Sequence, residues 1–203
     1  MRLGQFVTAS ALVVLLGSTQ ALASPLLQSR AGSNSVYVSQ VGDSNLSVVR
    51  QASGSDASTA SVVQNGDDND SLVDQRTGGH TAGIGQAGTG NLASILQDGA
   101  SGNVAQVVQT GSQNQAAISQ MAATAQNTAV AIQTGERNVA TVDQTGSGNS
   151  TLLAQSGNDN QMQVGQLGDS NTLIWTQTGS NLSAPIVQMQ GGQTLTINQL
   201  GIR

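Results

Sequence analysis

The chain has 203 residues, a formal net charge of −5, no cysteine and no lysine. About a third of the residues are Gly, Gln or Asn, whereas only 8% are charged and 1% are aromatic. This composition excludes a disulfide-stabilised fold, and an acidic chain without lysine is a poor candidate for nucleic-acid binding. Low charge combined with regularly recurring Val and Ile argues against ordinary intrinsic disorder and favours a repetitive β structure.

The first predicted element is a secretory signal peptide over residues 1–23. Arg2 precedes a short apolar run at 11–16, and Ala-Leu-Ala at 21–23 supplies the small-x-small pattern of a cleavage site. An apolar run this short is typical of a cleaved export signal and is too short to cross a membrane comfortably. We therefore expect cleavage before Ser24, export of the mature chain and no membrane span within it.

After a short N-terminal segment, 24–35, the rest of the chain (36–203) repeats one phrase. Gln recurs every 11 to 13 residues from 40 to 199, and eight of these Gln residues begin an unbroken Gln-x-Gly-x-x-Asn. In the stretch that leads to each Gln, the residue types Asn, Ala and Val or Ile tend to fall at every second position, as in Asn-Val-Ala-Thr-Val-Asp-Gln at 138–144. A period of two places Asn, Ala, Val and Gln on one face of a strand, and the following x-Gly-x-x is typical of a tight turn.

The spacing of the Gln residues predicts how the strands are arranged. Eleven residues cover one strand and one corner, so two units form a flat coil of 22 residues. The longer spacings follow Gln51, Gln97 and Gln120, which places all the additional residues on one edge of the coil. Self-similarity at a fixed period predicts a solenoid. The predicted fold class is all-β: a two-sheet parallel β-solenoid of about seven and a half strand-turn-strand repeats, with cross-β, amyloid-forming geometry.

Inward Gln and Asn side chains of stacked coils are expected to form amide ladders. A complete ladder satisfies buried amides that would otherwise cost roughly 1–3 kcal/mol each. The predicted ladder residues are Gln40, Asn45, Gln51, Gln64, Asn69, Gln75, Gln86, Asn91, Gln97, Gln109, Asn114, Gln120, Gln133, Asn138, Gln144, Asn149, Gln155, Asn160, Gln166, Asn171, Gln177, Gln188 and Gln199. The predicted turn glycines, which permit positive φ or close approach, are Gly42, Gly66, Gly88, Gly111, Gly135, Gly146, Gly157 and Gly168.

The full phrase Gln-x-Gly-x-x-Asn-x-Ala-x-x-x-Gln, present at 86–97, 109–120 and 133–144, resembles the curlin repeat. Curlin subunits build curli, the extracellular amyloid fibres of bacterial biofilms. The resemblance covers residues 36–199 and implies a secreted structural subunit that polymerises at the surface of a Gram-negative cell. It also implies passage through the periplasm, an outer-membrane curli secretion and assembly machinery, other curlin subunits as partners, and a role in adhesion.

Several positions depart from the curlin pattern. The segment between the signal peptide and the first strand is shorter than the targeting segment usual in curlin subunits. His80 stands in an Asn position, Trp175 stands in a Val position, and Gln190 replaces the turn glycine after Gln188. These irregularities favour the minor, nucleating subunit over the major subunit.

The alternative hypothesis is a secreted monomeric solenoid that binds or cleaves carbohydrate. The acidic stretch at 67–70 is more simply explained as a solvated turn, and the single histidine, His80, has no evident catalytic partner. Tyr37 and Trp175 are the only aromatic residues after the signal peptide, too few for a sugar-binding surface. We therefore expect no catalytic residue, cofactor or metal. Polymerisation of the purified chain distinguishes a fibre subunit from a monomeric module.

Overall fold

The computed structural model describes residues 11–16, 34–52, 57–100, 102–184 and 186–201. Regular structure in these residues is entirely β-strand, and none of them belongs to a helix that could span a membrane. The strands are β1 (Ala11–Leu16), β2 (Ser35–Val41), β3 (Leu46–Gln51), β4 (Thr59–Asn65), β5 (Asp70–Gln75), β6 (Thr81–Thr89), β7 (Leu92–Gly99), β8 (Val104–Ser112), β9 (Gln115–Ala122), β10 (Thr128–Glu136), β11 (Val139–Gly146), β12 (Ser150–Ser156), β13 (Gln161–Leu167), β14 (Thr172–Thr178), β15 (Val187–Gln190) and β16 (Thr194–Leu200).

From β2 onward, successive strands alternate between two sheets, so the chain winds as a flat coil. Sheet A has the order β1-β3-β5-β7-β9-β11-β13-β15, and sheet B has the order β2-β4-β6-β8-β10-β12-β14-β16. Neighbouring strands pair in parallel and in register, for example with Gln109 opposite Gln133 in sheet B. Successive Gln residues within a sheet lie 22 to 24 residues apart. This arrangement confirms the predicted two-sheet parallel β-solenoid.

The strand β1 departs from the parallel pattern. It pairs antiparallel with β3 at the edge of sheet A, with Ala11 opposite Gln51 and Leu16 opposite Leu46. β1 lies within the predicted signal peptide, but the remainder of that peptide and nearly all of segment 24–35 lie outside the described residues. The boundaries of these two segments therefore remain predictions.

A thin apolar layer between the two sheets forms the core. In β8 the inward residues Ala105 and Val107 are almost completely buried, and in β9 the same is true of Ala116 and Ile118. β-Branched side chains suit the pleated surface of a strand, and the small Ala in each strand lets the sheets approach closely. The period-two pattern in the sequence thus becomes two columns of like residues stacked from coil to coil.

The glycine turns are required by stacking as well as by backbone conformation. All eight predicted turn glycines have positive φ. Gly135, for example, has φ of 114°, and a Cβ atom at this position would overlap the carbonyl oxygen of Gly157 in the next coil. Because positive φ and close backbone approach coincide, only glycine fits.

The strand β15 corrects the predicted position of Gln188. Met189, not Gln188, lies opposite Gln166, and Gln188 faces outward opposite Gly165. The inward valine position is likewise filled by Val187, opposite Val164, rather than by the preceding isoleucine.

The one-residue shift in β15 has a physical cause in the segment before it. The N–H of Leu182 donates to Asn160 Oδ1 (3.0 Å), so Leu182 occupies the position where other strands of sheet A begin with Asn. From there the chain takes one additional residue to reach the inward position of Met189. The segment contains Pro185, which lies outside the described residues and has no N–H to donate to a sheet.

Candidate functional site

The inward Gln residues of sheet B form a continuous ladder of side-chain hydrogen bonds. Each Nε2 donates to the Oε1 of the Gln in the next coil, at 2.6–3.0 Å. From Gln64 to Gln177, the second proton of Nε2 goes to a backbone carbonyl across the core; Gln133 donates in this way to the Gln115 carbonyl oxygen (2.9 Å). The members are Gln40, Gln64, Gln86, Gln109, Gln133, Gln155, Gln177 and Gln199.

Sheet A carries a second Gln ladder with the same direction. Its donor–acceptor distances are 2.8–3.0 Å, and its members are Gln51, Gln75, Gln97, Gln120, Gln144 and Gln166. At its C-terminal end Gln166 Nε2 donates to the Ser150 carbonyl oxygen (3.0 Å), but in the next coil it meets only the sulfur of Met189, with an Nε2–Sδ distance of 3.8 Å. At its N-terminal end Gln51 Oε1 is buried and has no hydrogen-bond partner within the described part of the chain.

A column of Asn residues at the start of the sheet A strands joins each turn to its neighbours. Asn138 Nδ2 donates to Asn114 Oδ1 (3.0 Å) and to the Gly157 carbonyl oxygen (2.7 Å). Its own Oδ1 accepts the backbone N–H of Asn160 (3.1 Å). The column consists of Asn45, Asn69, Asn91, Asn114, Asn138 and Asn160. The Asn and the turn glycine of the repeat therefore act as one unit, because the amide binds the carbonyl that the glycine exposes.

The corresponding column on sheet B contains residues that the forward spacing of the repeat misses. The column has seven members, all of them buried and hydrogen-bonded. Two of them, Asn149 and Asn171, were predicted. The five that were not predicted are Asn34, Ser58, His80, Asn103 and Asn127. The missed residues share one signal: each stands six places before the following inward Gln. For Ser58, Asn103 and Asn127 the forward count fails because the additional residues lie between a Gln and the next member of the column. Asn34 precedes the first inward Gln, and His80 stands at the regular spacing but is not an asparagine.

His80 replaces an asparagine in this column as a hydrogen-bond acceptor. The Nδ1 atom of His80 accepts the backbone N–H of Asn103 (3.0 Å), and the backbone N–H of His80 donates to Ser58 Oγ (3.2 Å). This geometry requires a neutral imidazole with the proton on Nε2. Burial lowers the pKa of His80 from its ordinary value of 6.5, and the negative charge of Asp98 opposes the shift. The position therefore serves the stack of coils.

Two of the other residues considered for carbohydrate chemistry, Asp67 and Trp175, also take part in stacking. Asp67 Oδ1 accepts the N–H of Asp43 (2.8 Å), which links two successive turns. Trp175 is fully buried, and its Nε1 donates to Gln199 Oε1 (3.1 Å). The indole thus supports the last step of the sheet B ladder, and its ring is not available as a sugar-stacking surface. Tyr37 is half exposed on the outside of sheet B.

Two parallel sheets joined by amide ladders define a cross-β solenoid, a class of repeat protein whose coils stack like the layers of an amyloid. The family model for the curlin associated repeat matches residues 56–88, 66–99, 126–157 and 135–168. No curated protein matches the chain. The resemblance noted in the sequence is thereby confirmed: the chain contains curlin associated repeats over these residues.

Proposed function

We propose that this protein is a secreted structural subunit of a curli-type extracellular fibre, and that it acts by templated addition of one copy to the end of another. In this proposal the chain has no enzymatic activity. Polymerisation takes place on the cell surface after export through the periplasm, and the fibre contributes to biofilm matrix and adhesion. The outer-membrane curli machinery and other curlin subunits are the partners that the family suggests.

The observation that carries the proposal is the open C-terminal coil. Leu195 and Leu173 occupy the same inward column, yet Leu195 is 39% exposed whereas Leu173 is 1% exposed. The difference arises because β16 is the edge strand of sheet B and has a neighbour on one side only. An edge strand with unpaired N–H and C=O groups and an uncovered apolar column is a template for another strand.

The direction of the Gln ladders makes the two ends of the molecule complementary. Every inward Gln donates toward the C-terminal end, so a ladder presents donors at that end and acceptors at the other. Gln199 offers its Nε2 at one end, and Gln51 holds a buried acceptor at the other. Contact between two different surfaces of identical molecules generates an open filament rather than a closed dimer.

The edge strand β1 suggests how growth is coupled to export. In the full-length chain β1 covers the edge of β3. Removal of the predicted signal peptide, 1–23, also removes β1 and frees that edge for pairing. The irregular positions, which include His80 and the replacement of a ladder Gln by Met189, favour the role of the minor, nucleating subunit over that of the major subunit.

The direct test uses the mature chain, 24–203. We expect fibres that bind amyloid dyes and diffract at about 4.8 Å along the fibre axis. In the last strand, the inward substitution Ile197→Lys should slow seeded elongation because it places a charge in the contact, while the outward substitution Thr196→Lys should not. A chain that stays monomeric and binds polysaccharide instead would support the carbohydrate-module alternative and overturn the proposal.

A further inference from the structure

Within the described residues, the number of strands in the solenoid is odd. From β2 to β16 there are fifteen strands, with eight in sheet B and seven in sheet A. Each strand lies on the sheet opposite to the one before it, so the coil is generated by one repeated step: a half turn about the axis and a rise of half a strand spacing. Because β16 lies in sheet B, the next strand of the series belongs to sheet A.

The two sheets are sufficiently alike for a strand of one to continue the other. In β10 of sheet B the inward residues end with Ala131 and Gln133, and in β11 of sheet A they end with Val142 and Gln144. Both Gln residues bond to their ladder neighbours at 2.8 Å in the same direction. An incoming strand therefore meets the same inward pattern and the same hydrogen-bond polarity on either sheet.

We propose that the filament advances by a half turn for each molecule, so that β2 of the incoming copy pairs with β15 in sheet A and its β3 pairs with β16 in sheet B. This inference rests on the head-to-tail growth proposed above. Fifteen half-steps at a strand spacing of about 4.8 Å give a rise of about 36 Å per molecule and a structural repeat of two molecules, about 72 Å.

The buried acceptor of Gln51 fits this contact. The register within sheet B places Gln199 opposite Gln177, and the same register places the incoming molecule's Gln51 opposite Gln199. Gln199 Nε2 then points at Gln51 Oε1, which has no partner in the described part of the single molecule and lies at the edge that removal of β1 frees. Stacking without the half turn places Gln40 there instead. It leaves a gap one strand wide in sheet A, between β15 and the incoming β3.

The half turn also changes the outer surface of the filament. Charged side chains lie along the strands of sheet A, at Arg50, Asp70, Asp74, Asp98 and Asp143, whereas the strands of sheet B carry only Glu136, at the end of β10. Under the half turn, charged and uncharged faces alternate on both sides of the filament. Neither side then presents a continuous uncharged sheet face to neighbouring filaments.

Disulfide cross-linking tests the contact, because the chain has no cysteine of its own. The half turn places Thr196 beside the incoming molecule's Val48, whereas unrotated stacking places it beside Tyr37. All three side chains face outward. Adjacent parallel strands hold Cα atoms about 4.8 Å apart, which a disulfide can span. Within one molecule these strands lie at opposite ends of the solenoid, so cross-links form only between molecules.

Two double variants are compared after fibre growth, oxidation, dissolution and non-reducing electrophoresis. Val48→Cys with Thr196→Cys should convert most chains into long covalent oligomers, and Tyr37→Cys with Thr196→Cys should leave most chains as monomers. The reverse pattern overturns the half turn and indicates unrotated stacking, with another segment of the chain filling the gap. Monomers from both variants in dye-positive fibres also overturn it, whereas absence of any fibre from the wild-type chain overturns the proposed function itself.

Discussion

Replacing one amide in the middle of the sheet B ladder tests whether the ladder stabilises the fibre. Gln133 donates to Gln155 Oε1 (2.8 Å) and to the Gln115 carbonyl oxygen (2.9 Å), and it accepts from Gln109 Nε2 (2.8 Å). The substitution Gln133→Leu keeps a side chain of similar size but removes all three hydrogen bonds. The amide is fully buried, so water cannot replace them.

The expected cost follows from the groups left without partners. Gln155 Oε1 loses its ladder donor, while Gln109 Nε2 keeps its second bond to the Leu92 carbonyl oxygen (2.9 Å). One side-chain acceptor is therefore orphaned, one donor is partly orphaned, and the Gln115 carbonyl oxygen loses its bond from the Gln133 side chain. At roughly 1–3 kcal/mol for an unsatisfied buried group, the fibre should lose about 2–4 kcal/mol per molecule. Thr141→Leu, on the outer face of sheet A, should change stability by less than about 0.5 kcal/mol.

Guanidinium dissolution of seeded fibres measures this difference. With a denaturant slope of about 4 kcal/mol per molar for a chain of this size, the midpoint for Gln133→Leu should fall by about 0.5–1 M. The midpoint for Thr141→Leu should stay close to that of the wild type. Equal shifts for the two variants, or no shift for either, would show that the inward amides do not stabilise the fibre and would refute the reasoning.

Three further predictions concern single positions. Because burial lowers the pKa of His80 from its ordinary value of 6.5, the unfolded chain binds a proton at this residue more readily than the folded chain does, and stability should fall as the pH drops from 7 to 5. Hydrogen-exchange protection of the Asn103 amide should fall over the same pH range. The substitution His80→Asn should abolish this pH dependence. Gly135→Ala should cost about 1–3 kcal/mol, measured by guanidinium dissolution, because φ is 114° and the methyl group overlaps the next coil. Met189→Gln should raise the dissolution midpoint, because the new amide accepts from the last Gln of the sheet A ladder.

Each of these predictions has a control and a contradicting result. Protection that falls equally in His80→Asn would assign the acid sensitivity to another group. Gly85→Ala is the control for Gly135→Ala, since Gly85 has open space around it and ordinary φ; equal costs would contradict the stacking argument. Met189→Leu controls for the loss of sulfur, and a midpoint for Met189→Gln no higher than that of the leucine variant would contradict the ladder argument.

The amino-acid sequence by itself determined the local structure of nearly every coil. A period of two sets which side chains face inward, because successive residues of a strand point to opposite faces. A glycine at each corner sets where a strand can turn, because positive φ disfavours residues that carry a side chain. Both effects act between residues near one another in the chain, so the two-sheet solenoid and its inward columns could be predicted without coordinates.

The tertiary structure decided the positions whose partners lie a full coil away. Gln188 has the spacing of a ladder residue, yet an additional residue before β15 turns it outward and places Met189 inside. His80 becomes a hydrogen-bond acceptor and Trp175 a donor only because of the residues stacked beside them, 22 to 24 positions away along the chain. Local patterns carry no information about such partners, since loop insertions and strand shifts alter which residues meet. Register between coils is therefore a property of the folded stack.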